Sequence, residues 1–112
     1  MSNKDVLQIA EIPYDTGEIH FRYSRYLASD RTKWIKHGLF RAYHKNGQVA
    51  SEGEYEDGVE VGVWRDYHEN GQIAAEGEYK RGKESGRWRY WTSNGDIERE
   101  AIYFDGVPSA PA

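Results

Sequence analysis

A 24-residue period runs through most of this chain and confines its fold to a stack of one repeated unit. Gly38, Gly62 and Gly86 keep that spacing, as do Gly47, Gly71 and Gly95, and Gly58, Gly82 and Gly106. Asn46, Asn70 and Asn94 precede the middle glycine each time. Aromatic residues recur at Phe40, Trp64 and Trp88, at Tyr43, Tyr67 and Trp91, and at Tyr55, Tyr79 and Tyr103. A repeat stack grows along one axis, so 112 residues can form one domain without closing a globular core.

Each unit reads as a β-hairpin. Asn-Gly is the strongest short hairpin signal, because a type I′ turn needs positive φ at both central residues. After the turn in the second unit, Ile73, Ala75, Gly77 and Tyr79 alternate with Ala74, Glu76 and Glu78, the period of a strand. Counting outward from a two-residue Asn70-Gly71 turn sets Trp64 opposite Gly77 and Arg65 opposite Glu76. The same count sets Phe40 by Gly53, Arg41 by Glu52, Trp88 by Ala101 and Arg89 by Glu100. A ring opposite glycine covers the gap the glycine leaves, and an opposite-charge cross-strand pair contributes about 0.2–1 kcal/mol. A two-residue Arg81-Gly82 turn would further set Ala75 opposite Trp88 and Glu76 opposite Arg87.

The fold expected is therefore all-β, an extended, twisted antiparallel meander of tandem hairpins. One face carries Trp64, Ile73, Ala75, Gly77, Tyr79 and Trp88 as the core layer. The other carries Arg65, Glu76, Glu78, Arg87 and Arg89, with Tyr43, Tyr67 and Trp91 among the charges. Repeats fall at 38–61, 62–85 and 86–106, behind a divergent leader, 1–37. Thr16-Gly17-Glu18-Ile19 echoes the repeat turn, Val6 to Ile12 and Ile19 to Tyr26 read as strands, and an insertion sits at 28–36. The leader thus reads as a half repeat, which either caps the stack or makes the specific contacts, and 107–112 as a flexible tail.

Charge and composition then narrow function. A net charge of −4 supplies no overall positive field for nucleic acid or anionic lipid. The absence of cysteine removes disulfides, thiolate nucleophiles and Cys-ligated zinc. Charged residues at 30% would suggest a solvated coil, but four Trp and nine Tyr do not fit one. No apolar run approaches membrane-spanning length and the start has no signal-like core, so a cytoplasmic protein is expected.

The string from Gly62 to Gly82, Gly-x-Trp-x-x-Tyr-x-x-Asn-Gly-Gln-Ile-x-x-Glu-Gly-x-Tyr-x-x-Gly, resembles the MORN-variant repeat. More narrowly it resembles the bacterial YwqK-like antitoxin group. The resemblance covers about residues 38–106, with a weaker extension back to about residue 14. It implies a stack of β-hairpins and, for the YwqK-like group, an immunity protein that binds and neutralises a cognate toxin. Other MORN-type proteins imply a scaffold role, some with membrane lipid.

No residue set announces catalysis. His44 and His68 share a column beside the turn and could be metal ligands or bases, but Thr92 breaks the column and a third ligand is missing, so a copied polar turn position is favoured. His20 and His37 have no constellation around them. Glu52, Glu76 and Glu100 each face an arginine, a structural pairing that would hold them ionised. No enzyme activity, cofactor, metal or nucleic-acid partner is expected. The candidate partner-binding residues are Arg41, Tyr43, Glu52, Glu54, Arg65, Tyr67, Glu76, Glu78, Arg89 and Trp91, because aromatics and arginine are enriched at binding hot spots. The glutamates suggest a basic protein partner such as a toxin. The same residues also read as a solvated face of compensated pairs, and an open sheet edge or face could pair with a second copy.

Overall fold

The computed structural model of the protein describes residues 3–109. After a short 3₁₀ turn at Asn3–Asp5, nine strands follow: β1 (Gln8–Pro13), β2 (Ile19–Leu27), β3 (Trp34–Tyr43), β4 (Val49–Glu56), β5 (Val59–Tyr67), β6 (Ile73–Lys80), β7 (Lys83–Trp91), β8 (Ile97–Phe104) and β9 (Val107–Pro108). Each pairs antiparallel with the next in one open sheet, in sequence order. The expected meander is correct.

The two kinds of turn exchange the roles that dipeptide rules assign them. At Asn46-Gly47, Asn70-Gly71 and Asn94-Gly95 only the glycine has positive φ. His68 receives the Gly71 N–H and donates its own N–H to Gln72, so a five-residue loop separates paired Tyr67 from Ile73. One extra β6 residue then restores the expected register, with Asp66 opposite Ala75. The true two-residue turns are Asp57-Gly58, Arg81-Gly82 and Asp105-Gly106, where both residues have positive φ, the requirement of type I′.

Register within each hairpin is as counted: Phe40 faces Gly53, Arg41 faces Glu52, Trp64 faces Gly77, Arg65 faces Glu76, Trp88 faces Ala101 and Arg89 faces Glu100. Register between hairpins is not. Glu78 faces Ser85, but Glu76 faces Arg89 and Ala75 faces Tyr90, so Gly77 opposes three residues, Gly86 to Trp88. The expected Ala75–Trp88 and Glu76–Arg87 pairs are replaced accordingly. The cause is a wide bulge seeded by Gly86, whose φ of 72° suits glycine; Gly62 repeats it in β5. Glycines 62 and 86 therefore lie within strands β5 and β7 and not at turns.

The shift comes in twos, so it preserves the faces. Trp64 and Trp88 are 8% and 5% exposed, and with Ala10, Ala42 and Ala75 they form the buried layer. Neither indole covers its own register partner, Gly77 for Trp64 and Ala101 for Trp88. Trp64 lies on Gly53 and Trp88 on Gly77, each one strand back, where a β-carbon would overlap the ring. The indole N–H groups donate to Glu54 O and Glu78 O at 3.2 Å. Tyr55, Tyr79 and Tyr103 fill the gaps edge-on, linking Phe40 to Trp88 in one continuous ring row. Each such ring pair contributes about 0.5–1.5 kcal/mol beyond area burial.

The leader is a full hairpin, not a half repeat. Tyr14 donates its N–H to Glu18 and receives that of Gly17, the bonding of the repeat turns. The insertion lengthens the β2–β3 hairpin, ending in a loop from Ala28 to Lys33. Tyr26 ties this extension to the Asp57 turn through a 2.8 Å hydrogen bond, and Lys4 reaches the same carboxylate at 3.1 Å. Those two contacts, the tyrosine first, hold Asp57 below the usual carboxylate range. At the other end, Val107–Pro108 pairs with Tyr103 and Phe104 and is sheet rather than tail, and Ser109 N–H donates to Ile102 O beside it; 110–112 lie outside the described residues.

Candidate protein-binding face

Opposite the ring layer, one row of charge crosses the sheet from β1 to β8. Neighbours in register are Glu11, Arg22, Arg41, Glu52, Arg65, Glu76, Arg89 and Glu100. Within the repeats each acid lies beside a base, so the row neutralises itself. Arg65 Nε is 2.7 Å from Glu76, Arg41 Nε 3.5 Å from Glu52, and Arg22 Nε 3.5 Å from Glu11. Glu100 breaks the pattern, meeting Arg87 at 3.6 Å although Arg89 faces it. Tyr67 belongs to this row: its hydroxyl donates to Glu52 at 2.8 Å, and burial together with that bond pushes its pKa up.

The candidate residues do gather on this face. Arg41, Tyr43, Glu52, Glu54 and Arg65 line a hollow of about 540 Å³ spanning β1 to β5. Glu76, Glu78 and Arg89, again with Arg65, line a second of about 310 Å³. Trp91 lines neither; it is half-buried, with its carbonyl used by His68.

What sequence reasoning missed is an apolar stripe beside the charges. Leu39 is 71% exposed, Ile9 57% and Val63 49%, and all three line the larger hollow with Val61 and Arg22. The signal was present, since Leu39 and Val63 alternate in step with Arg41 and Arg65.

The histidine column is structural. His44 Nε2 lies 2.8 Å from Tyr67 O, and His68 Nε2 2.8 Å from Trp91 O. A carbonyl only accepts, so each Nε2 carries the proton. Tyr14 makes the same link from the leader, donating to Tyr43 O at 2.6 Å. The asparagines add a parallel rail, Asn46 Nδ2 to Glu69 O and Asn70 Nδ2 to Ser93 O. Thr92, last in the histidine column, has a buried hydroxyl without a hydrogen-bond partner among the described residues.

Among the described residues no helix is long and apolar enough to cross a membrane. No curated protein matches the chain. Residues 36–57 and 60–81 match the model of the MORN repeat variant, so the β3–β4 and β5–β6 hairpins that frame the larger hollow are similar to that repeat.

Proposed function

We propose that the protein is a non-catalytic module that binds another protein through the hollowed face of its sheet. The observation that carries this reading is the exposed stripe of Ile9, Leu39 and Val63 set beside a self-compensated charge row. The opposite face already closes on its own rings, whereas this one leaves apolar surface to water. An apolar centre with a polar rim is the anatomy of a protein interface. The finer reading is an immunity protein occluding a toxin, supported by the resemblance of the repeats to the YwqK-like group. A basic toxin would have to compete with the arginines for the glutamates, so the apolar stripe is the stronger anchor.

Affinity capture from the native host, with mass spectrometry and co-expression against a neighbouring toxin, tests this. One stoichiometric protein partner is expected, with capture lost when exposed Leu39 becomes Glu. A bait that recovers only itself would instead support a self-associating scaffold, a reading favoured by Phe104, 75% exposed at the end of the sheet where the two-residue β9 covers only the end of β8.

A further inference from the structure

Arg22 breaks the charge row. Every arginine deeper in the row has a glutamate on both sides: Arg65 lies between Glu52 and Glu76, and Arg89 between Glu76 and Glu100. Arg22 occupies the strand position that Glu52, Glu76 and Glu100 hold in the repeats, and it faces Arg41 directly. Like charges directly opposite in a sheet are destabilising. Among the described residues each of the two has one acid as ion-pair partner, Glu11 for Arg22 and Glu52 for Arg41, both at 3.5 Å. Their side chains are 55% and 57% exposed, open to an incoming group.

The location adds a second requirement. Both arginines line the larger hollow, and Leu39 stands two residues along β3 from Arg41. Two residues of strand span about 7 Å. An occupant that satisfies both features carries a carboxylate and an apolar side chain at that separation, as alternate residues of an extended chain do.

Resting on the protein-binding reading above, we propose that this hollow receives an acidic segment of the partner protein. The segment's Asp or Glu supplies the carboxylate missing between Arg22 and Arg41, and its neighbouring apolar side chain covers Leu39. The leader thus sets the specificity of a face the repeats would otherwise leave neutral. Electrostatic complementarity of this kind selects partners and speeds encounter.

The test uses the full-length, ¹⁵N-labelled protein and two synthetic peptides, one alternating Glu and Leu with Thr spacers, the other with each Glu replaced by Lys. The acidic peptide should shift the amide resonances of Arg22, Leu39 and Arg41, and the lysine peptide should not. Arg22→Glu gives Arg41 a glutamate on both sides but sets the new acid opposite Glu11, so its melting temperature should stay near the parent's while its affinity for the acidic peptide falls roughly tenfold or more. Should that variant fail to fold, Arg22→Gln makes the same comparison with a smaller loss. Equal or tighter binding of the lysine peptide, undiminished acidic binding by the variants, or silence of these resonances at millimolar acidic peptide would each overturn the proposal. So would concentration-dependent shifts of the same residues without peptide, which would give the hollow to a second copy. A host partner captured undiminished by Arg22→Glu but lost with Leu39→Glu would refute this inference and leave the protein-binding reading standing.

Discussion

The indole of Trp64 lies on Gly53, a residue of the preceding hairpin, although its register partner is Gly77 of the following strand. Trp88 repeats the relationship with Gly77. The tryptophan therefore joins one repeat to the last, and the glycine is the socket. The columns change at the sheet's two ends. Ala10 stands where Phe40, Trp64 and Trp88 recur, in a first strand with none before it in the sheet. Ala101 stands where Gly53 and Gly77 recur, in a strand over which no later tryptophan folds.

Filling the socket should be costly. Gly77→Ala puts a β-carbon inside the Trp88 ring and should destabilise the protein by about 1–3 kcal/mol, the range for overpacking. Ala101→Gly removes a methyl in a strand that no later tryptophan folds over and should lose only about 0.5–1 kcal/mol. Thermal unfolding of both variants ranks the two effects; equal losses would refute the socket.

Arg81 carries a removable strain. It holds a φ of 53° where the equivalent turns place Asp57 and Asp105. Asn tolerates that conformation, which is unfavourable by about 1–2 kcal/mol for an ordinary residue. Arg81→Asn should raise stability by about 1 kcal/mol, read as a midpoint several degrees higher on heating.

The histidine rail should be energetic rather than chemical. His68→Ala removes the donor to Trp91 O and should lower stability by about 0.5–1.5 kcal/mol, the net worth of one hydrogen bond. Added zinc should not change the unfolding of the parent protein. Zinc-dependent stabilisation would return the column to the status of a ligand set.

High pH should loosen the ring layer. Burial pushes Tyr79 up to about 12, and burial with the Tyr103 hydroxyl contact does the same for Tyr90. An unfolded tyrosine ionises near pH 10, so between about 10 and 12 the unfolded chain binds fewer protons and stability falls as pH rises. Ultraviolet titration should show late-ionising tyrosines, and denaturant midpoints should be flat below pH 9 and decline above 10.

Much of this architecture is legible in the chain. The 24-residue columns, the Asn-Gly turns and the strand alternation predict the hairpins, the two faces and the within-hairpin pairs from Phe40 with Gly53 to Arg89 with Glu100, but not the pair next to each Asn-Gly loop, where Tyr67 meets Ile73. These relationships are local: a short loop ties the two strands, and alternation every second residue sends each side chain to a definite face. The grouping of Arg41, Glu52, Arg65 and Glu76 on one face follows from the same alternation.

The joints between repeats are a different matter. A two-residue turn at Arg81-Gly82 is correct, yet counting from it fails beyond Glu78, because Gly86 bulges and slides Arg89 to Glu76. That slide is what lets Trp88 fold back over Gly77 and what threads the arginines and glutamates into one continuous row. The hollow and the unmatched Arg22–Arg41 pair exist only across such joints. Sequence alone determined the hairpin, because its contacts lie within one turn of chain; the binding face was decided by packing between hairpins, where a bulge's extra residues are set by a ring and a glycine 11 positions apart rather than by any local rule.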